Sequence, residues 1–482
     1  MVRTVRNWFQ ETVGGLPRTF WYLWTGTLIN RLGSFVIIFL AIYLTEVRGF
    51  SEFEAGVVLG LWGAGGAVGT LTGGVLADRW GRRPTLLTAH VGAASMMLAL
   101  GFARPLWVVA LGALLLGVFT EGARPAFGAM LIDVVPDRDR LRAFTLNYWA
   151  INLGFALAAI LAGLAAEANY LLLFVVDAAT TLGTAAIIFL RVPETRRLHA
   201  ASAPGTRPDR AAPHRGGLWS ALTDRVYVSF VALNILLALI FMQHTSMLPI
   251  AMGQDGLSPS TYGAVIAVNG VMIVAGQLFV PRLIADRRRS HVLALAALLA
   301  GVGFGLTAFA DGAWFYALTV VIWTLGEMLN SPSTSTLIAE LSPSALRGRY
   351  QGLFSLSWSV AAFVAPMAGG FVRERFGNTA LWLGCAAFGT MAAVSHLVSG
   401  PARERRARAL RAIEEAYAEP TAPSLRPTEA VQHDETVQPV PAARPTEAVR
   451  PAGSSRPTEP TGSSRPTDGL AGGRSTPATV DA

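Results

Sequence analysis

The sequence predicts an all-α membrane protein in which twelve transmembrane helices form two pseudo-symmetric six-helix bundles. Three observations carry that expectation. The 482-residue chain is 52% hydrophobic and only 15% charged, where a soluble domain carries roughly 25% charged residues. A polar, Arg- and Pro-rich stretch in mid-chain divides the apolar runs into six plus six. The two halves also repeat one another, with Asp133 falling on Glu340 at an offset of 207 residues.

Spans are expected near 19–46, 54–77, 84–103, 105–134, 142–166 and 169–190, then near 225–251, 259–285, 290–310, 313–341, 348–372 and 378–399. Runs such as "VVALGALLLGVF" and "HVLALAALLAGVGFGLTAFA" belong to segments of about 20 residues, the length that crosses a hydrocarbon core of roughly 30 Å. This gives an N-terminal bundle over 1–190, a cytoplasmic linker over 191–224, a C-terminal bundle over 225–400 and a tail over 401–482. The N-terminus lacks a small-residue cleavage site and runs into the first span, so no removable signal peptide is expected. The tail begins with "PARERRARALRAIEEAYA", a short basic-to-acidic helix suited to an anionic membrane surface. Beyond it, "RPTE" recurs at Arg426, Arg444 and Arg456 and "RPTD" at Arg465, in a Pro-, Ser-, Gly- and Thr-rich context that predicts disorder.

Arginines orient the chain. Arg3, Arg6, Arg18, Arg79, Arg82, Arg83, Arg138, Arg140, Arg142, the linker, Arg287 to Arg289, Arg347, Arg349 and the start of the tail fall on one side. The other side has Arg48, Arg104, Arg373 and Arg375. The positive-inside rule then puts the linker and both termini in the cytoplasm, in a multi-pass protein of the inner (plasma) membrane. It also accounts for the net charge of +8 without a nucleic-acid partner. All 39 basic residues are Arg, so no phosphate-cradling GxxxxGK[ST] loop exists. The single Cys385 excludes a disulfide framework and a cysteine metal site, and the seven histidines lack ligand spacing. No metal, cofactor or enzymatic centre is expected, and energy must come from an ion gradient, the proton gradient foremost, or from the substrate's own.

The repeat is specific. "MLIDVVPDRDRLRAFTL" (130–146) aligns with "TLIAELSPSALRGRYQGL" (336–353), pairing Pro136 with Pro343, Arg140 with Arg347 and Arg142 with Arg349. Gly49 pairs with Gly256, Ser51 with Ser258, Gly56 with Gly263 and Pro125 with Pro332. Two like-oriented six-helix halves are what a transporter needs when two bundles rock about a central site. A channel or membrane enzyme has no comparable use for the duplication.

Between spans 2 and 3 lies "GGVLADRWGRRP" (73–84), with a looser copy, "VPRLIADRRRS", around Asp286. Over roughly residues 15–400 the chain resembles the major facilitator superfamily, whose signature loop matches at Gly74, Leu76, Asp78, Arg79, Gly81, Arg82 and Arg83. "WTLGEMLNSP" followed by "LSPSALRGRYQGL" is similar to the proton-coupled drug-exporter branch. The resemblance implies a loop that latches the halves together in the outward-open state. Gly74 would approach span 11, Asp78 would face the positive N-terminal end of that helix, and Arg82 would reach Asp133.

Ionisable residues inside apolar spans cost free energy unless paired or watered. At ~1.5 Å per residue, Arg31, Glu121, Asp177 and Glu327 all lie about 18–21 Å from a charged flank of their own span, near the midplane. Arg124 shares a helix face with Glu121. The resemblance makes spans 1, 4, 7 and 10 cavity-lining, which gathers Arg31, Glu121, Arg124 and Glu327, with Gln243 and His244 nearer the outer mouth. Either Glu121 or Glu327 is the expected proton site, with Arg31 and Arg124 as counter-charges. Fixed ion pairs and a clamp on substrate charge are the competing roles. Asp177 lies on a span that need not line the cavity. Asn30 and Gln243 offer hydrogen bonds. Trp21, Trp24, Trp149, Phe241, Trp323 and Trp358 offer an aromatic surface, although packing or interfacial anchoring explains each more simply.

Drug antiporters of the family carry a Gly-Pro kink on span 5. Here Ala158-Ala159 stands at that place, and "VAPMAGG", with Pro366, Gly369 and Gly370, lies on span 11. The expected function is proton-coupled efflux of hydrophobic or amphipathic small molecules by a monomer. The alternatives are a proton symporter or facilitator for a small metabolite and, more remotely, a non-transporting receptor or assembly protein. The expected partners are the substrate, protons and the bilayer.

Overall fold

A computed structural model describes residues 14–195, 219–277, 279–343 and 346–418. Arg3 and Arg6, linker residues 196–218 and the RPT[ED] repeats lie outside the described residues. The first half comprises α1 (Arg18–Leu32, resuming at Phe35–Ile42), α2 (Glu52–Arg79), α3 (Arg82–Phe102), α4 (Leu106–Val134), α5 (Arg140–Ala168) and α6 (Leu171–Arg191). The second comprises α7 (Arg225–Phe241, resuming at Gln243–Gln254), α8 (Pro259–Gly276, with a short continuation Val280–Ile284), α9 (Arg289–Leu306), α10 (Ala313–Leu341), α11 (Arg347–Phe376) and α12 (Asn378–Ala418). Among the described residues, eleven of these helices are long and apolar enough to cross a membrane. The remaining one, α10, has 29 residues, ample length for a span, but its apolar run is diluted by Glu327, Asn330 and a Ser- and Thr-rich second half.

The repeat reappears in local structure. Gly49 and Gly256, one in each half, both adopt positive φ, at 70° and 76°. Two residues later Ser51 caps α2 and Ser258 caps α8, each accepting a backbone N–H three positions on. Pro125 and Pro332 sit inside α4 and α10. Packing repeats as well: α2 lies on α4, α3 on α6 and α1 on α5, as α8 lies on α10, α9 on α12 and α7 on α11.

The halves meet through α2 against α11, α5 against α8, and the second segments of α1 and α7. Large side chains would hold two backbones apart, and small residues line the seam instead. A Cβ on Gly56, Gly60 or Gly63 would collide with α11 at Pro366, Phe363 or Ala362, and one on Gly263 would meet the carbonyl of Ala159. Ala158-Ala159, fully buried, therefore permits on α5 the close approach expected of smaller residues.

One boundary differs from expectation. The sequence places the start of the tail at residue 401, with a helix lying on the membrane surface. Instead α12 continues through Pro401 to Ala418. Arg403 and Ala407 are buried, and Ala407 joins a core with Tyr227, Phe230, Leu337, Tyr350 and Leu353. Burial on the second half takes the apolar face that a membrane surface would otherwise cover.

Candidate functional site: a cleft between the halves

Among the described residues, the close approach of α2 to α11 lies toward one end. From Gly56 to Gly63, α2 touches α11, but Gly74, further along the same helix, has only Pro125 of its own half nearby. On α11, Gly348 and Gly352 face open space. Leu71, Val75, Phe144, Tyr148, Val271 and Leu356 are exposed toward this end of the molecule. It is also the end where Arg18, Arg79, Arg82, Arg142, Arg288 and Arg347 cluster, so the cleft opens at the arginine-rich end.

The opposite end is sealed by polar contacts between the halves. Arg373 of α11 is buried at 5% exposure. It lies 3.7 Å from the Glu52 carboxylate of α2 and donates to Gln254 Oε1 at 2.6 Å. Gln254 in turn donates to Glu52 Oε1 at 2.6 Å. The Phe53 N–H donates to Glu374 at 3.1 Å, and the Ser260 N–H to Glu167 at 3.3 Å. None of these four charged residues is a sequence candidate, because polar residues at helix ends carry no signal of partners some 320 positions away, as Phe53 and Glu374 are.

Along the cleft, the first half presents a charged wall. Arg124 Nε lies 2.9 Å from Glu121, and Gly66 of α2 leaves the room that the Glu121 side chain occupies. Arg31 packs against Gly154 of α5 and makes no direct ion pair among the described residues, but it lies in the field of Arg124, Glu121 and Asp177. The second half presents one acid. Asn269 of α8 donates to Glu327 at 2.8 Å and to Thr324 at 3.1 Å. No cation among the described residues pairs with Glu327, while Tyr148 of α5, from the other half, lies close enough to sense its charge.

Other candidates are taken up in packing. Asp177 is 3% exposed and accepts the Val36 N–H at 3.1 Å. It thereby caps the segment of α1 that restarts after the break at Gly33-Ser34, where a free N-terminus would otherwise lie unsatisfied in the membrane. Asn30 donates to Thr181 at 3.0 Å beside the same break. Gln243 is buried and donates to the Ala365 carbonyl at 3.0 Å, next to Pro366. Trp323 is 2% exposed and stacks on Phe304 at 5.2 Å, with the His244 ring at 5.8 Å. Gln243 and Trp323 are thus core residues of the second half in this state.

At the arginine-rich end Arg82 bridges two acids, at 3.4 Å from Asp78 and 3.3 Å from Asp133. Asp133 also accepts from Thr195 at 2.8 Å. Gly81 turns the chain at φ 119°, a conformation L side chains rarely adopt. Glu194 then accepts the N–H groups of Arg82 at 3.1 Å and Arg83 at 2.9 Å, capping α3. Arg83 folds back on the Phe189 ring, 5.2 Å away, and donates to its carbonyl. Neither Gly74 nor Asp78, the latter with a largely exposed side chain, touches α11 here.

Comparison with known proteins agrees with this architecture. The Major Facilitator Superfamily model matches residues 23–366 and 245–436. An uncharacterized MFS-type transporter YqjV of Bacillus subtilis (strain 168) is 26% identical over 365 residues, covering 74% of this chain and 87% of that protein. A Na(+), Li(+), K(+)/H(+) antiporter of Planococcus maritimus is 25% identical, covering 69% of this chain and 84% of its own. The multidrug resistance protein MdtH of Klebsiella pneumoniae (strain 342) is 23% identical, covering 73% and 86%. Among solved structures, the nucleoside transporter NupG superposes with a TM-score of 0.68 at 14% identity over 80% of this chain and 99% of that one. A POT family transporter in complex with 5-aminolevulinic acid gives 0.68 at 14%, over 81% and 97%.

Proposed function

Because the chain belongs to the Major Facilitator Superfamily and is a secondary transporter, not an enzyme, we propose that it exchanges protons for hydrophobic or amphipathic small molecules and expels them from the cell. In this reading the arginine-rich end is cytoplasmic, the protein sits in the plasma membrane with both termini inside, and the described state is inward-open.

The observation that carries the proposal is the contrast between the two mid-membrane acids. Glu121 is compensated by Arg124 at 2.9 Å. Among the described residues Glu327 has only the neutral partner Asn269, at 2.8 Å. A carboxylate without a cation in an apolar wall is costly when ionised. Glu327 is therefore the group that holds a proton while the cleft is empty and releases it when a positively charged or strongly polar substrate group takes its place. One site that takes either proton or substrate gives exchange. Arg31 and the Glu121–Arg124 pair set the charge of the facing wall, and Asp177 holds the α1 break.

The similar protein named for multidrug resistance supports drug-like substrates, and the one named as a cation/H(+) antiporter supports exchange. One feature favours a second reading, a proton symporter or facilitator for a small metabolite: Ala158-Ala159 in place of the Gly-Pro element that the family's drug antiporters carry on this helix.

The test is transport in proteoliposomes under an imposed pH gradient, following proton flux and a lipophilic cationic dye together. Dye is expected to move against protons. Glu327→Gln should abolish both fluxes, and Glu121→Gln should weaken them. Coupled exchange that survives Glu327→Gln would overturn the assignment of the proton site. Protein that is folded yet moves no dye would overturn drug export and direct the search to metabolite uptake.

A further inference from the structure

A groove of about 310 Å³ runs between α9 and α12 on the outer surface of the second half, away from the cleft. It is lined by Ala294, Leu295 and Leu298 of α9 and by Thr390, Val394 and Leu397 of α12, and closes at the arginine-rich end with His291. Over the seven residues from His291 to Leu298 it descends ~10 Å toward mid-membrane, at about 1.5 Å per residue. A neighbouring helix or a bilayer chain must cover such a surface, since its walls are apolar.

Charge at the mouth identifies the cover. Arg287 and Arg288 directly precede the His291 turn, are exposed, and make no ion pair or side-chain hydrogen bond among the described residues. On α12, steps of three and four residues carry the lining stripe of Thr390, Val394 and Leu397 past Pro401 to Arg405 and Arg408, both exposed. Two acids, Asp286 and Glu404, stand nearby and leave the cluster net positive. The repeat-related position in the first half behaves differently. There Arg83, 208 residues before His291, is folded back on Phe189 and is occupied. The second half has His291 at that place, lining the open channel, with Arg287 and Arg288 exposed and unpaired among the described residues.

We propose that this groove is a binding site for one anionic phospholipid of the leaflet at the arginine-rich end, with an acyl chain between α9 and α12 and the phosphate on Arg287, Arg288 and His291. An apolar channel capped by exposed cations matches the acyl chain and the phosphate of that molecule. Each arginine near the surface contributes about fivefold to anionic-lipid affinity. The site lies outside the transport cleft, so it does not depend on the exchange reading.

The test is native mass spectrometry of the full chain in detergent, titrated separately with phosphatidylglycerol and phosphatidylcholine. One tightly retained phosphatidylglycerol per chain is expected, bound in clear preference to phosphatidylcholine. Arg287→Gln with Arg288→Gln should lower phosphatidylglycerol affinity by about 25-fold, from the fivefold contribution of each residue, and leave phosphatidylcholine unchanged. Leu298→Trp and, independently, Val394→Trp should fill the channel and lower occupancy by both lipids. A wild-type chain that binds the two lipids equally would overturn the proposal. So would unchanged phosphatidylglycerol binding in both tryptophan variants at an unaltered melting temperature. A dimer that Val394→Trp dissociates, with no lipid retained, would assign the groove to a second copy and overturn it as well.

Discussion

Asp177 illustrates how an acid inside a membrane can be held by the backbone it caps. Its carboxyl group accepts the Val36 N–H at 3.1 Å where α1 restarts, so an acceptor oxygen stands at the positive end of a half-helix. Asp177→Ala leaves that N–H unpaired in an apolar interior and should cost about 1–3 kcal/mol, read as a lowered melting temperature in detergent. Asp177→Asn keeps an acceptor oxygen and should melt close to wild type with pH-driven transport intact. Loss of transport in the Asp177→Asn variant at normal stability would instead make the charge itself part of coupling. Gly81 is a second case: at φ 119°, and with the Glu194 carboxylate where a Cβ would stand, Gly81→Ala should cost about 1–3 kcal/mol. That a glycine is needed in "DRWGRRP" is legible in the sequence. That Glu194 caps the following helix is not, since it sits 112 residues from its partner Arg82 and a lone Glu in a polar linker has no periodicity to betray it.

The helices themselves are the most legible feature, because apolar length and flanking arginines report spans directly. Where they break and where they end are less so. The break in α1 rests on a tertiary partner, Asp177, and at the break in α7 Gln243 reaches the Ala365 carbonyl of α11; a local pattern reveals neither. The end of α12 is not at Pro401, although proline and a run of arginines normally mark a boundary. Here Arg406 pairs with Asp224, the residue that caps α7 and also accepts from Tyr350 at 3.0 Å, and Arg411 lies 3.0 Å from Glu340 at the end of α10. The extension therefore ties the arginine-rich ends of α7, α10 and α11 into one unit. Deleting residues 401–482 should lower the melting temperature well beyond deletion of 419–482 alone. Arg406→Ala, which removes an ion pair with a largely buried acid, should reproduce part of that difference. Equal melting of the two truncated proteins would exclude a bracing role.

At the scale of the whole molecule, two sets of charged contacts stand at opposite ends. The repeat in the sequence announces two rocking halves, yet which end is closed depends on a small energy difference between states and has no signature in one chain. In the described state the far end is held by Arg373, Glu52 and Gln254 and by the two carboxylates that reach backbone N–H groups across the seam. At the arginine-rich end Arg82 engages Asp133, while Gly74 and Asp78 do not touch α11. We expect these latch residues, with Arg79 and Arg83, to close the arginine-rich end only when the far-end contacts are released. Arg373→Ala strips a mostly buried carboxylate of its cation, and breaking a buried pair costs about 3–5 kcal/mol, here charged against the far-end-closed state alone. The equilibrium should then move by more than tenfold toward the other state. Spin labels on Asn169→Cys and Asp311→Cys, in a Cys385→Ser background, would report it as a longer inter-label distance at the far end. Adding Gly74→Leu, which crowds the approach to α11, should reverse the shift. If Arg373→Ala leaves the distance distribution unchanged, the far-end network is packing and not a gate. If it lengthens the distance and Gly74→Leu does not restore it, the two ends open independently and the rocking of rigid halves is wrong.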